Sequence, residues 1–307
     1  MTSSSLLLLD TASLYFRAFH GVPDRFTSPD GTPVNAARGL LDMVAKLIDE
    51  FAPSDVIACW DDSWRPAWRV ALIPSYKQHR VAGVAADGSD REDAPERLEV
   101  QLPLIREAFR LLGIPVVGAP DYEADDIIGS LVAQSRMPVD IVTGDRDLFQ
   151  LVNDTRCVRV INTARGMKNL DIVSEHSLVD RYGVTAAQYV DFAVLRGDAS
   201  DGLPGVAGIG DKTAAALLHE FGSLEAIRQA AEQEKALSPA RRAALKASSD
   251  YLDVAPRVVR VATQLSLPAV NSRLREPDDE SAVLSFGEKH GLGQSMLRAL
   301  SAVRAAA

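Results

Sequence analysis

The run Asp121-Tyr122-Glu123-Ala124-Asp125-Asp126 packs four carboxylates into six residues and leads at once into the apolar Ile127-Ile128 of an expected helix. Glu123, Asp125 and Asp126 fall in its first turn, where unpaired N–H groups and the positive end of the dipole tolerate negative charge. Capping needs one or two acidic groups, so the run is either an over-capped helix or part of a cation site. Crowded carboxylates are costly without a compensating cation, and hard divalent ions prefer oxygen ligands. The other aspartates favour the cation. Asp10, Asp61, Asp145 and Asp147 each stand at or just past the end of an expected strand, and Asp198 and Asp201 lie in the turn after an expected helix over 185–196. With Glu123, Asp125 and Asp126 they make nine candidate ligands for two metals. No Cys or His accompanies them, which favours Mg²⁺ or Mn²⁺ over zinc or iron. Two such ions suit phosphoryl transfer, one at the attacking and one at the leaving oxygen. Nine carboxylates exceed the charge of two divalent ions, so several should act through water.

Two further groups of residues bear on that chemistry. Lys77 and Arg80, in Tyr76-Lys77-Gln-His-Arg80, are either a solvated basic face or positive charge at a scissile phosphate. The segment Gly205-Val206-Ala207-Gly208-Ile209-Gly210-Asp211-Lys212-Thr213 opens onto an Ala- and Leu-rich helix. Its glycines permit positive φ and close approach to a ligand, and the N–H groups at the helix start suit a phosphate. This is a helix-hairpin-helix pattern, a sequence-independent clamp on the DNA backbone, with Gly208, Gly210, Lys212 and Thr213 as candidate contacts. A bare αα-corner is the plain alternative. A P-loop is excluded, because the Gly-Lys-Ser/Thr order is absent.

The elements that must position these residues follow from apolar patterning. Leu6–Leu9, Asp55–Trp60, Ile114–Val117, Val139–Val142 and Cys157–Ile161 read as buried strands separated by helices, which implies an α/β fold with a mostly parallel sheet. Ligands of such sheets gather beyond the carboxyl ends of the strands. Asn35 is the expected cap of a helix over about 36–51, and a further helix is expected over about 95–112. Between Val81 and Pro95 the chain is rich in Ala, Gly, Ser and acid without periodicity, and reads as a mobile lid. We divide the chain into an α/β core over 1–180, including a segment at about 74–100 that arches over the site, and a helical region over 181–307 with the hairpin at about 185–222. The net charge of −9 argues against a nucleic-acid binder unless the excess acid is concentrated in a metal site. The N-terminal leucines have no basic region before them and Asp10 directly after, so neither a signal peptide nor a membrane span is expected. Cys59 and Cys157 have no paired spacing. A cytoplasmic monomer is the expectation.

These motifs, in this order over about residues 5–225, resemble the 5′-nuclease family: the N-terminal domain of bacterial DNA polymerase I, its stand-alone relatives and flap endonucleases. The matching segments are Asp10, Trp60-Asp61, Tyr76-Lys77-x-x-Arg80, Tyr122–Asp126, Thr143-Gly-Asp-Arg-Asp-Leu148, and Gly197-Asp-x-Ser-Asp201 through Gly210-x-Lys-Thr213. The resemblance implies a PIN-like sheet with a helical arch, and a two-metal 5′-3′ exonuclease and flap endonuclease acting on DNA 5′ ends and flaps, extending to RNA–DNA hybrids. Asp10, Asp61, Glu123, Asp125 and Asp126 would serve mainly one metal, and Asp145, Asp147, Asp198 and Asp201 mainly the other. Lys77 and Arg80 would stand at the base of the arch, with Phe16 and Arg17 beside the scissile phosphate. Carbonyls such as those of Pro204, Val206 and Ile209 would hold K⁺. The sequence departs from the family at Trp60 (usually Phe), Asp62, Arg146 (usually Lys), Gly202 (usually Asn) and the acidic rather than basic segment 81–95. The rival functions are a DNA-structure-binding homologue without catalysis, whose signature of missing ligands is absent, and a PIN-like endoribonuclease, which usually lacks hairpin and arch.

Overall fold

The computed structural model describes residues 4–85, 88, 90–233 and 236–307. Among them are eight strands: β1 (Leu6–Asp10), β2 (Asp55–Cys59), β3 (Val81–Val84), β4 (Asp90–Glu92), β5 (Val116–Val117), β6 (Val139–Thr143), β7 (Val158–Asn162) and β8 (Asp171–Val173). Six form one sheet in the order β5-β2-β1-β6-β7-β8, parallel except for β8. The four leucines of β1 sit at its centre and are buried on both faces, as expected for a strand inside a parallel sheet.

Period-two alternation divides the core. Leu7 and Leu9 face a layer made by α1 (Thr11–Gly21), α2 (Asn35–Phe51), α4 (Glu96–Glu99) and α5 (Leu102–Leu111). Leu6 and Leu8 face α6 (Ala124–Gln134), and the same core continues into α7 (Glu175–Tyr182) and α8 (Tyr189–Arg196). The short α3 (Ala67–Leu72) borders this second core, which runs on through α9 (Asp211–Phe221), α10 (Leu224–Ala231), α11 (Pro239–Ala247) and α12 (Ser249–Val259). Past α12 the chain runs as an extended strap beside α6 and bridges back to Asp55 at Arg273. The last helices, α13 (Glu280–Lys289) and α14 (Gly293–Ala306), then bury Val283, Met296, Leu300 and Val303 in the first core with α2. The C-terminal helices thus lie on both sides of the sheet. Among the described residues, no helix is long and apolar enough to cross a membrane.

Three expectations change. Asn35 does not cap α2: its amide donates to the carbonyls of Phe19 (2.8 Å) and Val22 (3.2 Å). Capping comes from far along the chain, where the fully buried Gln101 Oε1 accepts from the N–H groups of Ala36 (2.8 Å) and Ala37 (3.2 Å). The helix expected over 95–112 is two pieces, α4 and α5, because Pro103 has no N–H for the Glu99 carbonyl and its ring crowds it. The expected helical arch is instead a 3₁₀ turn (Gln78–Arg80), the antiparallel β3-β4 hairpin and one turn of α4, with 86, 87 and 89 outside the described residues. The buried Arg65 anchors this hairpin: it pairs with Asp90 and donates to the Pro74 carbonyl and to Gln78.

Replacing Gln101 by Leu leaves two buried N–H donors at the start of α2 without an acceptor. We expect a loss of about 2–4 kcal/mol of unfolding free energy in urea titrations, with an unchanged m-value.

Candidate active site

Every strand of the parallel set points its C-terminal end at one edge, and the acidic residues collect there. Asp10 ends β1 and caps α1, accepting from Ser13 N (3.1 Å) and from Thr143 Oγ1 (2.6 Å) on the adjacent β6. Asp61, just past β2, accepts from the N–H of Ala124 (2.7 Å), so it caps α6 across the sheet edge. Asp145 follows β6 and accepts from the N–H of Asp147 (2.9 Å). Asp198 closes the turn after α8, accepting from Ser200 N (2.9 Å) and Arg196 (3.2 Å).

A cavity of about 290 Å³ is lined by Asp10, Asp61, Glu123, Asp125 and Asp145 together with Lys77, Arg80, Phe16, Arg17 and Trp64. Glu123 and Asp125 also border a smaller adjoining space with Asp147 and Asp201. The structure therefore divides the carboxylates into two overlapping groups, with Asp145 in the first rather than with Asp147. Asp198 is in neither lining, and nor is Asp126. The Asp126 carboxylate is fully buried, paired with Arg69 through two 2.8 Å bonds, and accepts from Ala262 N (2.8 Å) and Glu123 N (3.2 Å).

Arg69 is the residue the motifs did not reveal. It is 2% exposed, binds Glu123 as well as Asp126, and donates Nε to the Val258 carbonyl (3.0 Å), joining α3, α6 and α12. Its sequence signal was a single charge inside the apolar Ala67–Leu72 run, which demands a buried partner. Glu123 further accepts from Tyr76 Oη (2.7 Å) and pairs with Lys77. Lys77 sits at φ 48°, held by its N–H to the Asp201 carbonyl (3.0 Å), and Arg80 binds the Ser200 carbonyl (2.7 Å) and Asp201 (3.2 Å). Gly202 explains one departure from the family pattern: a Cβ there would lie 2.0 Å from the Ser75 carbonyl. Trp60 and Asp62 share Arg106, which covers the indole at 4.1 Å and binds the carboxylate at 3.0 Å.

The electrostatics record the crowding. Burial pushes Asp10 up to about 7, against the Thr143 hydrogen bond and with the help of Asp61. Burial and then Asp145 and Asp10 hold Asp125 well above the carboxylate range, and burial with Asp145 and Asp201 does the same to Asp147. Asp61 and Asp201 are raised chiefly by burial. Burial alone would lower Lys77, but Glu123 and the surrounding acids hold it well above its ordinary value. Glu92 of β4, also absent from the sequence candidates, lines the cavity and is raised by burial and Asp61. Among the described residues no three acidic, His or Cys side chains are drawn together as around one ion. Internal partners such as Lys77, Arg80 and Thr143 hold the carboxylates instead. An all-oxygen, part-buried set with more negative than positive charge fits hard divalent cations.

Phe16 and Arg17 both reach the cavity from α1, and the Arg17 Nε is buried without a hydrogen-bond partner among the described residues. The hairpin between α8 and α9 forms as expected. The Val206 N–H donates to the Leu195 carbonyl (2.9 Å), and Gly205 at φ 65° packs where a Cβ would meet the Arg196 carbonyl at 2.5 Å. Gly208, Gly210 and Lys212 are exposed and Thr213 half-buried at the N-terminus of α9. Pro204 is exposed, while Val206 and Ile209 are buried, and the Val206 carbonyl accepts from Ile209 N (2.9 Å).

A family model described as the 5′-3′ exonuclease N-terminal resolvase-like domain matches residues 5–183, and one described as the 5′-3′ exonuclease C-terminal SAM fold matches 184–280. A Streptomyces coelicolor protein named 5′-3′ exonuclease is 52% identical over 301 residues, covering 97% of this chain and 100% of its own. A Mycobacterium tuberculosis protein of the same name is 44% identical over 307 residues, covering 96% of each. The fold is shared with the phage T5 D15 flap endonuclease, solved as a pseudo-enzyme–product complex with DNA and metal ions: TM-score 0.63 at 18% identity, covering 97% of this chain and 99% of that one.

Three outcomes test the site's electrostatics. Groups whose folded pKa lies above the unfolded value stabilise the protein at low pH and lose that contribution as pH rises. Without metal, the melting temperature should therefore fall between about pH 4 and pH 7, the window set by Asp10, and Mg²⁺ should restore it at the upper end. Asp125→Asn should raise the metal-free value and blunt the response to Mg²⁺. Arg69→Met leaves the buried Asp126 without an ion pair and Glu123 with Lys77 alone, and should cost about 3–5 kcal/mol of stability in denaturant titrations.

Proposed function

The chain belongs to the 5′-3′ exonuclease family, and from that premise we propose that it is a structure-selective 5′-3′ exonuclease and 5′-flap endonuclease on DNA, acting also on RNA in RNA–DNA hybrids. One observation carries this: a single cavity gathers six carboxylates, Glu92 among them, with Lys77, Arg80 and Arg17 beside a helix-hairpin-helix. Two or more divalent cations, Mg²⁺ or Mn²⁺, held by Asp10, Asp61, Glu123, Asp125, Asp145, Asp147, Asp198 and Asp201, would supply the Lewis acidity that activates water and offsets phosphate charge. Asp126 would act from behind, fixing Arg69 and the first turn of α6.

The chain's own residues prepare the strand for in-line attack on phosphorus, in which the bond to the 3′-oxygen breaks and the 5′-phosphate stays on the product. Lys77 and Arg80 hold the phosphate oxygens, a role for which their present partners Glu123 and Asp201 place them. Arg17 brings an unpaired guanidinium nitrogen to the same cavity, and Phe16 and Trp64 offer aromatic surface to the terminal bases. Gly208, Gly210, Lys212 and Thr213 hold the duplex by its phosphates, so binding weakens with salt. Carbonyls of Pro204, Val206 and Ile209 would take K⁺ in that hairpin, which makes duplex affinity higher in KCl than in NaCl.

The test is cleavage of a 5′-flap duplex, labelled in turn at either end, with Mg²⁺, with Mn²⁺ and with EDTA. Metal-dependent cuts near the junction, or release of 5′ nucleotides, are expected. Firm DNA binding without cleavage in either metal would overturn the assignment in favour of a structure-binding protein. Asp145→Asn should reduce cleavage by at least about a thousandfold while changing DNA affinity little. Loss of both together would remove Asp145 from its assigned place.

A further inference from the structure

On the far side of the Arg69 layer from the acidic cavity lies an open cleft of about 840 Å³ that none of the assigned chemistry uses. Its walls are α3, the start of the acidic run and the strap that follows α12. Trp68 and Tyr122 supply two half-buried aromatic rings with centroids 6.4 Å apart. The Trp68 indole is fixed in place, its Nε1 donating to the Asp121 carbonyl (3.0 Å) and its ring lying 4.6 Å from the Arg69 guanidinium. Arg257 approaches the same ring at 5.8 Å, and Arg260 stands one turn further on. Both are exposed, and among the described residues neither side chain makes an ion pair or hydrogen bond. Two arginines against the single carboxylate of Asp121 make this lining cationic in a chain of net charge −9.

The cleft is tied to the acidic centre by short covalent links. Tyr122 immediately precedes Glu123, and Trp64, four residues before Trp68, lines the acidic cavity. Four residues span at most about 14 Å. Val261 borders both this cleft and the small space beside Asp147 and Asp201. Held aromatic faces flanked by unpaired arginines are the chemistry of a stacking platform for unpaired bases, with phosphates neutralised alongside. We infer that this cleft binds an unpaired nucleotide of a nucleic-acid strand engaged at the acidic centre, one base against Trp68 or Tyr122 and its phosphate on Arg257 and Arg260. The inference rests on the nuclease assignment only for the identity of that strand.

The test uses the full-length protein in EDTA with two duplexes, one with a single-stranded 5′ flap and one with a recessed 5′ end whose own strand carries no unpaired nucleotides. Iododeoxyuridine at successive flap positions should cross-link to the peptides bearing Trp68 or Tyr122. Trp68→Ala should weaken flap binding roughly tenfold, the size of one lost base–aromatic stack, and leave the recessed duplex unchanged. Trp68→Phe should restore most of the affinity. Arg257→Glu with Arg260→Glu, both on the surface and so compatible with folding, should weaken flap binding and flatten its salt dependence. Equal losses on both duplexes would reduce Trp68 to a support for Arg69 and overturn the inference. So would the absence of cross-links together with unaltered binding in the arginine variant, or binding of an acidic peptide in place of the flap. If the wild-type protein cuts neither duplex in Mg²⁺ yet cross-links at Trp68, the nuclease assignment fails and the cleft stands.

Discussion

Inside the protein, the guanidinium of Arg69 binds Asp126 through two nitrogens and Glu123 through one of them, and closes its last direction on a backbone carbonyl of α12. This is where the excess negative charge of the sheet edge is first met by a fixed positive charge. Without it, Glu123 and Asp126 would repel each other at the start of α6, and that helix carries Asp125 into the site. A buried pair of this kind contributes little net stability compared with an apolar core, but removing one partner is severe. Its effect here is geometric. It sets the rotation of the first turn of α6, so that Asp125 faces the cavity while Asp126 faces away.

A second set of constraints brings the arch base to the same edge. Lys77 takes a left-handed backbone conformation so that its N–H reaches the Asp201 carbonyl, and Gly202 leaves the room for Ser75 to approach. Arg65 then fixes the β3-β4 hairpin by Asp90, which leaves Glu92 at the cavity. The acidic composition of this segment, unexpected beside the family pattern, thus has a structural counterpart: one of its acids is a tether and another faces the site. The hairpin after α8 is joined to the same unit, since Asp198 and Asp201 belong to the turn that opens it. Acidic edge and hairpin are therefore one piece of chain, and a phosphate bound at the start of α9, as proposed, would sit in fixed relation to the acids.

The C-terminal helices show why a linear division of the chain falls short. The core below the hairpin ends at α12, but α13 and α14 cross to the opposite layer and pack against α2. The strap between them lies against α6, where Ala262 N binds Asp126. The helical region thus supports the acidic edge from behind as well as carrying the hairpin.

Much of this was legible in the residues alone. Uninterrupted apolar runs such as Leu6–Leu9 specify buried parallel strands, because only a strand covered on both faces tolerates such a run. Acids placed just beyond those runs must then share an edge, and the glycine spacing over 205–210 dictates the hairpin. These signals are local, set by periodicity and by the backbone freedom of single residues. The orientation of each carboxylate was not local. Asp125 and Asp126 are chemically identical neighbours, and which of them turns to the cavity is fixed where Arg69, 57 residues from Asp126, binds the other. Gln101 in place of Asn35 as the cap of α2, and the hairpin in place of a helical arch, have the same origin. In each case a buried polar group from a distant segment satisfied the backbone or the charge. Which distant group arrives is decided by packing, which the order of residues along the chain does not display.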